Sequence, residues 1–315
     1  MDLDLSADQI ALRDGIAALL EGRFAMDRVR AGFDRAMFTE LADAGVFSLR
    51  ADGFSWADCT IVFEQLGRFC VPGPLVPSLL FESGRIVGFL DQPDREADRE
   101  PDPQRDEHLW VEHLDVLEDL VVGSADAIRH VDPTTLVGEL SSWPLDPLTP
   151  IARVAAIPPG RAIVADAAEL RRRGAVLTAA LQLGLADRCT ELAVDYAKER
   201  VQFDRPIAAF QAIKHLCADM LVRTEVARAA VYAAGAHLDD PEEPGLDRRI
   251  SGAKALAGEA AIVNGKTAMQ VFGGMGFTWE VDVHLYLKRA WVLDTHFGSG
   301  DAHADVVAGA LGART

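Results

Sequence analysis

Two segments of this 315-residue chain combine residue types and spacings that could handle a phosphorylated ligand. The first runs Tyr196-Ala197-Lys198-Glu199-Arg200-Val201-Gln202-Phe203-Asp204-Arg205-Pro206-Ile207 and is followed by Phe210-Gln211. Arg200 and Arg205 fall between two long helical patterns. A pair of guanidinium forks at such a corner can neutralise a pyrophosphate, with Pro206 fixing the turn that presents them. The same arginines could instead pair across the surface with Glu199 and Asp204. The second segment, Met269-Gln270-Val271-Phe272-Gly273-Gly274-Met275-Gly276-Phe277, ends another helical pattern in glycines that let a backbone approach a ligand without Cβ interference. Glycines there also serve as a helix stop. The arrangement differs from a dinucleotide fingerprint, which needs a strand before it and a helix N-terminus after it.

The elements that must position these segments read as mostly helical. Ser6 and Gln9 form a capping box ahead of Ile10, Ile16, Leu19 and Leu20 at helical spacing. Further helices are expected from Asp34 to Ala44, stopping at Gly45, from Ser55 to Arg68, and over 78–90. The stretch 91–108 is acidic and proline-bearing and reads as a linker. Short β-branched runs at Leu109–Leu114, Leu120–Val122, Ala127–Val131 and Ile151–Val154 imply a small β region. Beyond Ala167, long amphipathic patterns at Ala175–Lys198, Phe210–His237, Leu246–Phe272 and Asp282–Leu293, then a shorter one at Asp301–Leu311, imply a helical bundle. The expected domains are therefore 1–90 helical, 91–108 linker, 109–165 reduced β domain and 166–315 C-terminal helical bundle.

Composition excludes several classes. A formal charge of −18 argues against nucleic acid, whose phosphates need clustered Lys and Arg. No apolar run approaches the ~20 residues that a membrane-spanning helix needs, and no secretory leader pattern opens the chain, so a cytoplasmic protein is expected. Cys59, Cys70, Cys189 and Cys217 sit singly in apolar periodic segments and read as buried free thiols. His284, His296 and His303 match no metal-site spacing, and Ser251 and Ser299 lack the partners of a nucleophile.

Taken together, Arg-x-x-Phe, a Gln eight residues after that Phe, and a distal Gln-x-Phe-Gly-Gly-x-Gly resemble the acyl-CoA dehydrogenase family. Glu40-Leu41 through Phe47, Phe63-Glu64-Gln65-Leu66-Gly67-Arg68, Pro72-Gly73-Pro74-Leu75 and Trp279-Glu280 look like that family's landmarks too. The resemblance implies a mainly α fold with an N-terminal helical domain, a middle β domain and a C-terminal four-helix bundle, and FAD held across a subunit interface. It further implies Arg200, Gln202 and Phe203 near the pyrophosphate and adenosine of FAD, Gln211 close by, and Gln270, Gly273 and Gly274 along the backbone approach. One departure stands inside the motif, because the family usually carries Gly where this chain has Asp204.

Dehydrogenation beside a thioester needs a carboxylate to take the α-proton. The two positions at which the resemblance would place that carboxylate read Phe297-Gly298 and Gly174. Asp294 and Asp301 lie about 5 Å of helix rise to either side of Phe297, and Glu169 precedes Gly174 by a turn and more. The family's flavin-end loop and strand have no counterpart between 91 and 165, and Trp110 and Ser141-Ser142-Trp143 read as packing residues. The expected function is thus a subunit of a heteromeric FAD-dependent acyl-CoA dehydrogenase for a bulky, possibly steroid-derived, thioester, with a homologous catalytic partner supplying the base. The alternatives are a self-sufficient homomer using Asp294, Asp301 or Glu169, and a non-catalytic scaffold without flavin.

Overall fold

The computed structural model describes residues 4–91, 109–124, 127–163, 165–240, 242 and 244–312. In chain order the elements are α1 (Ala7–Arg23), α2 (Met26–Arg30), α3 (Arg35–Asp43), α4 (Trp56–Arg68), α5 (Leu75–Phe81), β1 (Val87–Asp91), β2 (Leu109–Glu112), β3 (Asp119–Gly123), β4 (Ile128–Val131), β5 (Gly138–Leu140), β6 (Ile151–Val154), β7 (Arg161–Ile163), α6 (Ala167–Glu199), β8 (Val201–Gln202), β9 (Arg205–Pro206), α7 (Gln211–His237), α8 (Leu246–Phe272), α9 (Val283–Asp294) and α10 (Gly300–Gly312). The fold is mainly helical. None of its described helices is long and apolar enough to cross a membrane.

The helix boundaries follow from local chemistry. Ser6 and Gln9 exchange side-chain and backbone bonds at 3.2 and 3.1 Å to start α1. Asp34 accepts from the Met37 amide at 2.7 Å to start α3, which stops at Gly45 in the left-handed region. Ser55 and Asp58 form a second capping box at α4. The helix expected over 78–90 is corrected: α5 begins at Leu75 and ends at Phe81, where Glu82 turns left-handed (φ 40°), and 87–91 is strand β1. That strand pairs in parallel with β3, from Val87 opposite Asp119 to Asp91 opposite Gly123, so a distant partner decides its conformation. Apart from Asp91, the expected linker lies outside the described residues.

The chain resolves into two compact units. One comprises the described residues of 32–52 and 72–174. It holds a four-stranded sheet ordered β1-β3-β4-β7 and a three-stranded antiparallel sheet ordered β2-β6-β5. Val87, Val121 and Ile128 pack there against Ala167 and Leu170 in the first turn of α6.

The other unit comprises the described residues of 1–31, 53–71 and 175–315 and carries the long helices. Its tightest contact is between α4 and α6. A Cβ on Gly67 would lie 2.7 Å from the Leu181 carbonyl carbon, and one on Gly184 would lie 2.5 Å from the Arg68 amide nitrogen. Only hydrogen fits at either position, so the two backbones touch. Around this contact Arg68 binds Asp187 and Glu191, and Arg228 of α7 binds Glu64 and Asp187. Asn264 of α8, wholly buried, donates to the Met220 carbonyl and the Thr224 hydroxyl of α7 at 3.0 Å and to the Thr190 hydroxyl of α6 at 3.3 Å. One amide thereby fixes the mutual register of α6, α7 and α8.

Gly67→Ala and Gly184→Ala should each lower stability by on the order of 3 kcal/mol or more, because the clash is with backbone. Gly252→Ala in α8, where a Cβ would meet nothing within 4 Å, should instead raise it by roughly 0.5–1 kcal/mol. Urea denaturation midpoints check this; equal effects at all three positions would show that the α4–α6 contact is not closed.

Candidate functional site

The corner between α6 and α7 is a two-residue hairpin. Val201 pairs with Pro206 and Gln202 with Arg205, and the Ile207 amide donates to the Arg200 carbonyl at 2.8 Å. Phe203 and Asp204 make the turn with φ of 53° and 61°, the doubly left-handed geometry that a tight hairpin favours. Asp204 stands at a position suited to glycine, and aspartate is among the few side chains that tolerate it. Its substitution for the family's glycine therefore preserves the turn.

The hairpin presents its groups outward. Phe203 is 86 % exposed and meets Phe210 edge-on at 6.0 Å, while the Arg205 guanidinium lies 4.3 Å from the centre of the Phe210 ring. Among the described residues no carboxylate pairs with Arg200 or Arg205, so the alternative of a surface ion pair with Glu199 or Asp204 is not realised. Gln202 folds its amide back onto the Val201 carbonyl at 2.8 Å.

A stacked pair joins this corner to the glycine segment. Tyr196, near the end of α6, lies 4.1 Å from Phe272, the last residue of α8, with the rings 15° from parallel. The two segments recognised separately in sequence thus share one end of the bundle. Gly273 has φ 61° and ψ −138°, a conformation reserved for glycine, and Gly274 follows it; a Cβ on either would meet nothing within 4 Å. Gly276 differs, since its Cβ would press on the Met269 carbonyl at 2.9 Å, so it is a packing residue. Gln211 opens α7 and Gln270 lies in the last turn of α8, both exposed. The donors, the open glycine backbone and the exposed ring fit the dinucleotide end of a flavin cofactor. Sequence reasoning assigned no role to Tyr196, Phe272 or Phe210; each is an unremarkable aromatic until the helix ends are set side by side.

The two positions at which the resemblance expects a carboxylate hold no acid. Phe297 is buried, in a left-handed conformation, and Gly174 is buried inside α6. Glu169 is held by Arg173 at 2.9 Å and Arg172 at 3.5 Å. Asp294 turns toward α8, where its carboxylate would stand 2.7 Å from a Cβ on Gly258 and lies 3.9 Å from the Lys254 ammonium. Asp301 is exposed in the first turn of α10. In the β unit the reading of Trp143 as a packing residue is corrected: it is 90 % exposed on the bend after β5, and Trp110 is exposed as well. Among the described residues β2 and β5 are the two edges of their three-stranded sheet.

An open cleft of about 610 Å³ lies elsewhere in the helical unit, lined by Glu64, Arg68, Asp187, Arg228 and Tyr232 among others. Burial raises the Glu64 carboxyl above the usual carboxylate range, against the pull of Arg228. The Tyr232 hydroxyl donates to it at 2.5 Å. Every one of these groups already has a protein partner, which makes the cleft floor a structural ion-pair network.

Known proteins share the sequence and the fold of this chain. The family profile described as acyl-CoA dehydrogenase, C-terminal domain, matches residues 166–312. The chain is 33 % identical over 314 residues, 89 % of each chain, to the acyl-CoA dehydrogenase IpdE2 of Mycobacterium tuberculosis. Its fold resembles a chain of the ChsE4-ChsE5 complex from Mycobacterium tuberculosis, with TM-score 0.80, 20 % identity and 99 % of each chain covered. It also resembles a chain of a variant of the Tcur3481-Tcur3483 steroid ACAD, with TM-score 0.79, 20 % identity, and 98 % of this chain and 99 % of that one covered.

Replacing Asp204 by Gly should leave the hairpin intact and raise stability by up to about 1 kcal/mol, whereas Asp204→Val should lower it, since a β-branched residue resists positive φ. Thermal melts of the two variants test the turn assignment; loss of stability in the glycine variant would contradict it.

Proposed function

Because this chain belongs to the acyl-CoA dehydrogenase family, we propose that it is one subunit of a heteromeric, FAD-dependent acyl-CoA dehydrogenase of the cytoplasm, gripping the ADP end of FAD for a homologous partner that supplies the base. What supports this reading is the Arg200 hairpin and the open glycine segment at one end of the bundle, together with Phe297 and Gly174 where the resemblance would place a carboxylate. Bound flavin would supply the hydride acceptor for α,β-dehydrogenation of the acyl-CoA substrate.

This chain's residues then have distinct tasks. Arg200, with no carboxylate partner among the described residues, offers its guanidinium to the pyrophosphate. Phe203 offers an exposed ring to the adenosine, and Gln211 and Gln270 offer amides that can donate and accept. Gly273 and Gly274 leave the backbone open to close approach. Gln202 must release the Val201 carbonyl before it can reach a ligand. A partner of the same family and a bulky, steroid-like thioester are supported by two structural neighbours, one a chain of the ChsE4-ChsE5 complex and one a chain of a steroid ACAD. A self-sufficient enzyme has less support, because Glu169 and Asp294 face cations within this chain.

Co-expression with a candidate partner, followed by measurement of FAD per complex and of FAD affinity, tests the reading. Arg200→Ala and Gln270→Ala should each weaken flavin retention at least tenfold, a change of ~1.4 kcal/mol. Unchanged affinity in both variants would refute binding in trans. A chain that takes up no flavin with any partner would point to the scaffold alternative.

A further inference from the structure

The corner between α9 and α10 is built around a buried cation that the dinucleotide site does not use. Lys254 of α8 is 0 % exposed. Among the described residues its ammonium reaches the Asp294 and Leu293 carbonyls, at 3.3 and 3.4 Å, and the Asp294 carboxylate at 3.9 Å. These are long contacts for a charge removed from water, at the carbonyl end of α9 where a helix attracts a cation. Beside Gly258, one turn further along α8, lie the Asp294 carboxylate and Gln182 of α6; Gln182 is wholly buried and neither of its amide atoms has a hydrogen-bond partner among the described residues. The corner itself turns through Phe297 and Gly298, with φ of 53° and 101°. His303 of α10 clasps it, with Nε2 2.9 Å from the Phe297 carbonyl and Nδ1 3.0 Å from the Ser251 hydroxyl of α8. Nε2 must donate to the Phe297 carbonyl, whereas the Ser251 hydroxyl can donate to Nδ1 or accept from it, so the contacts seat the ring in either protonation state, and its partial burial beside the Lys254 cation is what opposes the charged one.

We propose that Lys254 and His303 form a pH-sensitive latch on the 294–303 corner, closed more tightly in alkali than at neutral or acid pH. The charge acting on Lys254 is that of Asp294, and those acting on His303 are Lys254 and Asp294; Gln182 of α6 and Ser251 of α8 are neutral. Burial brings the Lys254 ammonium down to about 8 from its ordinary 10.5, and the Asp294 charge offsets only part of that. Burial also lowers His303 below its ordinary 6.5, against the bond to the Phe297 carbonyl, with the Lys254 charge lowering it further and the Asp294 charge opposing. A group whose pKa is lower closed than open holds fewer protons when closed, so rising pH favours closure. The Lys254 arm of this dependence lies between about 8 and 10.5, and the His303 arm lies below 6.5. The latch therefore spans the stretch that carries Phe297, and it loosens in two steps as protons are added.

Limited proteolysis of the full chain by subtilisin between pH 5.5 and 10 tests this, with each rate divided by that on an unstructured peptide at the same pH. Cleavage within 294–303 should fall by up to roughly tenfold per pH unit above 8, and should climb below 6.5. Lys254→Met should abolish the alkaline arm and keep the acid arm; His303→Gln should do the reverse. Should the Lys254 variant not fold, the sign of the wild-type alkaline arm decides alone. Cleavage that rises in alkali, or a profile shared by wild type and both variants, overturns the latch.

Discussion

The helical unit depends on one steric fact: two helices meet where neither has a side chain. Gly67 and Gly184 bring α4 and α6 into backbone contact, and the separation at that point sets where every neighbouring group must lie. Arg68 follows Gly67 and so faces Asp187 and Glu191, which occupy the next turns of α6. Glu64, one turn earlier, is 2 % exposed and could not be tolerated there without Arg228 and Tyr232 closing over it. The ion-pair network is thus a consequence of the close contact and not an independent source of stability.

From that anchor the geometry is carried to the ligand corner by two further contacts. Asn264 ties α8 to α6 and α7 midway along the bundle, and the Tyr196–Phe272 stack ties the ends of α6 and α8 together. The hairpin and the glycine segment are far apart in sequence and contain little that would hold them to each other. Their proximity is inherited from the packing behind them.

Much of this was legible from sequence because it is local. Ser6, Asp34, Ser55 and Gly45 mark helix ends through bonds made within a few residues, and the elements fall where those signals put them. The non-local features were not legible. β1 reads as a helix continuation because Val87-Gly88-Phe89-Leu90 is a short apolar run without a decisive period, and its partner β3 lies some thirty residues on. β5 and β7 are three residues each, too short to show alternation. Within the site, Arg200, Phe203 and the glycines stood out by motif. The Arg205–Phe210 contact and the inward turn of Asp294 depend on where helices finish and cross, which spacing does not encode. Gly67 drew notice only as part of a run of residues, although its missing Cβ sets the distance between two helices.

Exposed aromatics in the hairpin and just after the glycine segment bear on how such a protein is made. Phe203, Phe277 and Trp279 stand in solvent around an open backbone, and bare aromatic surface of this kind favours self-association. Whatever comes to cover it also shields the chain during its most vulnerable interval, between synthesis and assembly. Yield in a cell would then be governed by the supply of that covering molecule as much as by the rate of translation.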